Sequence, residues 1–134
     1  MNKNKKALAI IISICLIAAM SVTAVADWDS FTVKLPIASL NKEVSTLTKS
    51  SAGTNYFTID IYSISDGYNV VRGWTEDSTW GINYSSELIY IRVDTGQNVK
   101  YDKLPDNEAK VVLNLDNPVK TTKTPTVTGG WTPN

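Results

Sequence analysis

The chain has 134 residues, with thirteen basic and thirteen acidic side chains, no histidine and one cysteine. This composition excludes catalytic triads built on histidine and nearly all zinc sites, because both depend on imidazole or on several thiolates. The charge balance also lacks the excess of basic residues that binding to phosphate backbones requires.

Residues 1–26 have the three-part pattern of a secretory signal peptide. Three lysines lie among the first six residues, an apolar run covers 7–20, and Ala24 and Ala26 supply the small residues of an A-x-A cleavage site. The pattern predicts a signal peptide over 1–26 and a secreted domain over 27–134. The alternative is an uncleaved anchor, since the apolar stretch is about long enough to span a bilayer.

Removal of the leader changes the balance of charge. Without its three lysines the remaining chain has ten basic and thirteen acidic residues, and it has no cysteine because Cys15 lies within the leader. Extracellular proteins of Gram-positive bacteria often lack disulfides, so we expect a secreted, extracellular protein from such a host. We expect no nucleic-acid partner, and membrane contact only through an uncleaved leader.

Apolar residues after the leader recur with period two, in runs rich in Val, Ile, Thr and Tyr, which is typical of β-strands. The segment 37–51 is ambiguous between a helix and irregular or extended chain, and its serine and threonine content favours the latter. Seven strands predict a single all-β domain, an antiparallel β-sandwich that is immunoglobulin-like or related. The predicted strands cover 31–35, 56–63, 68–75, 88–94, 97–101, 109–115 and 126–131.

Two loops predict β-hairpins. The sequences at 65–67 and 94–96 each place glycine third in a three-residue loop, where a left-handed conformation is needed. The first hairpin would set Asp60 opposite Arg72 on the solvent side and leave the apolar residues of both strands on the other side. A two-residue loop would instead turn the arginine toward the core, where an unpaired charge is costly.

This register places aromatic and charged side chains together on one outward sheet face, which we take as the candidate ligand face. Flat rings beside charged groups can stack on sugar rings and hydrogen-bond their hydroxyls, or can anchor a protein partner. The competing interpretation is that the tryptophan is a core residue, as is usual in sandwiches. The predicted ligand face consists of Tyr56, Asp60, Tyr62, Arg72 and Trp74.

Catalytic motifs are weak. Glu76, Asp77 and Glu87 lie near two tryptophans and could form a glycosidase carboxylate pair, but solvated surface charge is the simpler interpretation. The S-x-x-K sequence at 39–42 lacks the other elements of penicillin-recognising enzymes. Acidic residues over 102–108 lack the ligand spacing of a calcium loop. We therefore expect no enzyme activity, no cofactor and no metal.

The end of the chain reads V-x-G-x-W-x-P, with Val127, Gly129, Trp131 and Pro133 at the fixed positions. Together with the signal peptide and a cysteine-free β-rich domain, this tail resembles small uncharacterised secreted proteins of Gram-positive bacteria, some of them bacteriocin-associated. The resemblance implies an extracellular role and supplies no catalytic residue. Lactococcin-type bacteriocins are similar in plan, but their mature chains are shorter.

The sequence thus predicts a secreted, non-catalytic binding protein whose partner is a cell-wall polysaccharide or a surface protein. The first alternative is a bacteriocin-like or competition-associated protein. The second is a carboxylate-dependent glycan hydrolase. The oligomeric state is left open.

Overall fold

The computed structural model contains strands, turns and irregular chain, and no helix of its described part is long and apolar enough to cross a membrane. The predicted signal peptide, with Ala24 and Ala26, lies outside the described residues. These residues are 27–37, 40–50, 53–86, 89–118 and 121–134.

Eight β-strands form the fold. Seven of them overlap the predicted strands, and the additional one, β2, lies in the ambiguous segment 37–51, which is therefore partly extended and not helical. Val44 and Leu47 of β2 pack against the core, which explains why this polar segment forms a strand. The strands are β1 (Asp29–Lys34), β2 (Lys42–Thr48), β3 (Tyr56–Ile64), β4 (Val70–Asp77), β5 (Tyr90–Arg92), β6 (Gln97–Lys100), β7 (Lys110–Asp116) and β8 (Thr126–Thr132).

The strands form two antiparallel four-stranded sheets. The first sheet has the order β1-β8-β3-β6 and the second has the order β2-β7-β4-β5. Every connection except that from β4 to β5 passes from one sheet to the other. This is the strand order of a jelly roll, in which two Greek keys close into a sandwich. The predicted antiparallel β-sandwich is confirmed.

Both predicted hairpins are wrong. β3 and β4 lie in different sheets, and so do β5 and β6. The turn at 65–67 is tight, with positive φ at Asp66 and Gly67, but the chain leaves it toward the opposite sheet. β3 pairs instead with β8 on one side and β6 on the other, so both of its hydrogen-bonding edges are taken.

The alternation of inward and outward residues was predicted correctly. Trp131 is fully buried between the sheets, and its Nε1 donates a hydrogen bond to Ser45 Oγ at 2.9 Å, which joins β8 to β2 across the core. Within the predicted strand 31–35, the alternate residues Phe31 and Leu35 are buried and Val33 is half-buried. The remaining core side chains include Phe57, Ile59, Ile61, Val71, Ile91, Val99, Val111, Leu113, Leu115 and Val127.

The residues that follow β8 are held by polar contacts from both sides of the sandwich. The buried Lys49 donates from Nζ to the main-chain oxygen of Asn134 at 2.7 Å, and burial lowers the pKa of this lysine. The Tyr101 hydroxyl donates to the Pro133 carbonyl at 2.8 Å, and Asn134 Nδ2 donates to Thr58 Oγ1 at 2.8 Å. These bonds fix β8 in the interior of the first sheet.

Two adjacent glycines of β8 differ in what an added methyl group would meet. A Cβ at Gly129 would clash with the Asp60 main-chain oxygen and lie 2.8 Å from Phe31 Cζ, whereas a Cβ at Gly130 would meet the half-exposed ring of Trp28. We expect Gly129→Ala to lower the free energy of unfolding by about 2 kcal/mol through overpacking. Gly130→Ala should cost less than half as much, because the Trp28 ring can move aside. Urea unfolding measures both, and equal losses would contradict this packing.

Candidate functional site

The outer face of the second sheet carries polar side chains that are buried although they point away from the core. Asn114 of β7 is 0% exposed, and its neighbours on the same face of the strand, Val112 and Asp116, are also buried. Such burial is unusual on the outside of a sandwich, where outward residues normally face solvent. The register pairs Arg72 with Asp116, Trp74 with Asn114 and Glu76 with Val112.

An ion pair joins β4 to β7 on this face. Arg72 Nε donates to Asp116 Oδ1 at 2.7 Å, and a second guanidinium nitrogen donates to Asp116 Oδ2. The carboxylate side chain is only 5% exposed. Because a buried charge is costly without a partner, the two-pronged contact stabilises Asp116 and fixes the orientation of the guanidinium group.

A pocket of about 340 Å³ opens over this ion pair. Its size lies near the lower end of the range for small-molecule sites, which suits a ligand with a single ring. Asn41 reaches it from the loop before β2, and Asn83 from the loop between β4 and β5. The lining side chains are Asn41, Arg72, Trp74, Glu76, Asn83 and Asp116.

Two buried side chains of β4 and β7 retain unused hydrogen-bonding groups. Trp74 is 5% exposed and lines the pocket, and its indole N–H has no hydrogen-bond partner among the described residues. Asn114, opposite it on β7, is likewise without a partner for either its amide nitrogen or its amide oxygen. Buried polar groups are normally satisfied, so these unpartnered groups mark the part of the second sheet over which the pocket lies.

The loop after β4 is held by Asp77. Its Oδ1 accepts from the main-chain N–H groups of Thr79 at 2.8 Å and Trp80 at 2.7 Å, and the Tyr84 hydroxyl donates to Oδ2 at 3.2 Å. These bonds, that from Trp80 foremost, hold the pKa of Asp77 below its ordinary value. The carboxylate thereby shapes the turn that leads to Asn83.

Exposed apolar residues adjoin the lining residues along the chain, and we call them the rim of the pocket. Trp80 and Ile82 flank the lining residue Gly81, and Leu40 precedes the lining residue Asn41. All three apolar side chains are exposed, Trp80 by 79%. A tryptophan ring at the edge of a polar pocket can pack on the apolar face of a ligand whose polar edges enter the pocket.

The structure separates the residues of the predicted ligand face. Arg72 and Trp74 lie in this site, whereas Tyr56, Asp60 and Tyr62 belong to β3 in the first sheet. The prediction that all five share one sheet face is wrong, because β3 and β4 do not pair. Trp74 is also buried, not exposed as that face required. A role in binding stays a prediction for each of them.

Three polar side chains of the pocket were missed by the sequence analysis. Asp116 ends the run V-V-L-N-L-D, in which every second residue faces outward. Two of the outward positions are the polar Asn114 and Asp116, and this pair of polar residues is the signal that could have identified Asp116. Asn41 and Asn83 lie in loops, where no periodic pattern marks them. Only the order of the strands brings these loops to one place.

The carboxylates considered for hydrolysis lie in different surroundings. Asp77 is engaged in its turn, Glu87 lies outside the described residues, and Glu76 lines the pocket. Asp116, the other carboxylate of the lining, is held by Arg72. Within the described ranges no group of three or more Asp, Glu or Cys side chains could hold a metal ion, including the acidic residues over 102–108.

The stability that Asp77 gives to the loop after β4 depends on pH. Since its folded pKa lies below the ordinary value of 3.8, the carboxylate stabilises the fold above that pH, and the stabilisation is lost as the pH falls through and below it. We expect the melting temperature of Asp77→Asn to be lower than that of the wild type at about pH 7, with the gap closing in acid. The exposed Asp102→Asn serves as control. A gap that does not change with pH would contradict the assignment.

Comparison of the chain with protein-family models, curated proteins and solved structures finds no match. The geometry of the pocket is therefore the basis for a functional proposal. It combines a fixed ion pair, a buried unused indole N–H and amide side chains under an apolar rim.

Proposed function

We propose that this protein is a secreted, non-catalytic binding protein that takes a polysaccharide of the cell surface into the pocket on the outer face of its second sheet. The observation that carries the proposal is the pocket over the Arg72–Asp116 ion pair, which is lined mainly by polar and charged side chains. The predicted signal peptide would deliver the domain to the compartment where such polymers occur.

The chemistry of the lining suits a sugar. Sugar hydroxyls both donate and accept hydrogen bonds, and the amides of Asn41 and Asn83 do the same. The side chain of Trp74 also lines the pocket, between the amides and the ion pair on β4. The exposed ring of Trp80 offers a flat surface for the C–H face of a sugar ring.

Binding is favoured over hydrolysis by the state of the carboxylates. Glycosidases use two carboxyl groups that act on opposite sides of the scissile bond. Of the two carboxylates that line the pocket, Asp116 has both oxygens occupied by Arg72, which leaves Glu76 alone. One available carboxylate does not make an acid and base pair.

The test removes the two amide side chains of the lining and leaves the buried side chains unchanged. Trp74→Ala is unsuitable, because truncating this buried ring would cost about 3–5 kcal/mol of stability and confuse the result. Asn41 and Asn83 are exposed, so the double variant Asn41→Ala/Asn83→Ala should fold as the wild type does. Asn98→Ala, on the first sheet, is the matched control.

We expect the wild type and Asn98→Ala to be retained on isolated Gram-positive cell wall and to bind cellotetraose in calorimetry. The double variant should bind about thirtyfold more weakly, as expected for two lost neutral hydrogen bonds. Undiminished binding by the double variant would overturn the pocket as the site. Failure of the wild type to bind, or cleavage of the glycan, would overturn the proposed function.

A further inference from the structure

We infer that the glycan bound by this pocket carries a positively charged amino group, as an amino sugar does, and that Glu76 is the residue that binds it. This inference rests on the proposed function and names the class of its ligand. Three observations support it: the charges of the lining, the place of Glu76 on β4, and the hydrogen-bonding groups around it.

The charges of the pocket leave one carboxylate unneutralised. Three charged side chains line it, and two of these, Arg72 and Asp116, neutralise each other through a two-pronged contact. Glu76 forms neither an ion pair nor a side-chain hydrogen bond within the described part of the chain. The lining therefore has a net charge of −1, located on Glu76.

The position of Glu76 strengthens the attraction between its charge and a bound cation. It follows Trp74 by two residues on β4, so the two side chains lie on the same face, about 7 Å apart along the strand. Glu76 is half-buried, and its neighbour in register on β7 is the apolar Val112. A carboxylate that is partly removed from water attracts a cation more strongly than a fully solvated one.

The hydrogen-bonding capacity of a carboxylate selects the partner. An ionised carboxylate only accepts, whereas an ammonium group only donates, and the charge strengthens the bond between them. A neutral hydroxyl would gain less from Glu76, and an anionic sugar would be repelled by it. The pocket should therefore prefer an amine to either of them.

The groups around Glu76 favour a sugar amine over a lysine side chain. A lysine has one polar atom, at the tip of an aliphatic stem. Its entry would leave the exposed Asn41 amide bonded only to water, so a lysine would gain one polar contact at the pocket. An amino sugar has hydroxyl groups beside its amine, and these can bond to the amides of the lining as well.

The experiment compares three tetrasaccharides with the same linkage: β-1,4-linked glucosamine, N-acetylglucosamine and glucose. Calorimetry at about pH 6 keeps most of the amino groups of the glucosamine tetramer protonated. We expect the wild type to bind the glucosamine tetramer about tenfold more tightly than the two neutral tetramers, as expected for one charge-assisted bond in place of a neutral one.

Glu76→Gln should abolish this preference, so that the variant binds the three tetramers with equal affinity. Glu43→Gln is the matched control, since it removes the same charge from the same sheet at an exposed position outside the pocket lining, and it should keep the preference. Thermal unfolding of both variants checks that the fold is retained.

Two results would overturn the inference and leave the proposed function intact. One is equal affinity of the wild type for the three tetramers, and the other is a preference for the glucosamine tetramer that survives in Glu76→Gln. Competition by a tetralysine peptide as strong as that by the glucosamine tetramer would overturn the choice of an amino sugar. If the wild type binds none of the tetrasaccharides, the inference fails together with the proposed function.

Discussion

The site depends on one constraint, which is that β7 buries its outward face as well as its inward one. The carboxylate of Asp116 lies on that outward face and cannot remain buried without a counter-charge. Arg72, opposite it on β4, supplies the counter-charge through two hydrogen bonds. The pair aligns β4 with β7, orients the guanidinium group and neutralises two of the three charges of the pocket.

Local patterns in the sequence predicted local features of the fold well. Period-two alternation identified which residues of β3 and β4 face the core, and Ile61 and Val71 are buried as expected. The pattern could not predict which strands pair, because that depends on segments far away in the chain: β8 pairs with β3, and β7 pairs with β4. β2 was ambiguous because it is a polar edge strand, with an irregularity near Val44 that interrupts its alternation.

The candidate site was predicted in part, for the same reason. Outward alternation along β4 pointed to Arg72 and Trp74, and both lie at the pocket. The assumed hairpin then added the outward residues of β3, which the fold places in the other sheet. Asn41 lies just before the start of β2, and Asn83 lies beside Glu76 of β4 through an isolated bridge, so both reach the pocket. These segments are far apart in the chain, and only the jelly-roll order places β2 and β4 on the two sides of β7.

The four tryptophans provide the most direct test of the central claim, that the ligand enters the pocket of the second sheet. Each contributes one indole N–H resonance to a nitrogen–proton correlation spectrum. Trp74 and Trp80 lie at the pocket and its rim, whereas Trp131 lies in the core and Trp28 lies over Gly130 of the first sheet. Titration with the glucosamine tetramer should shift the resonances of Trp74 and Trp80 and leave the other two in place. A shift of Trp28 with Trp74 unchanged would contradict the account.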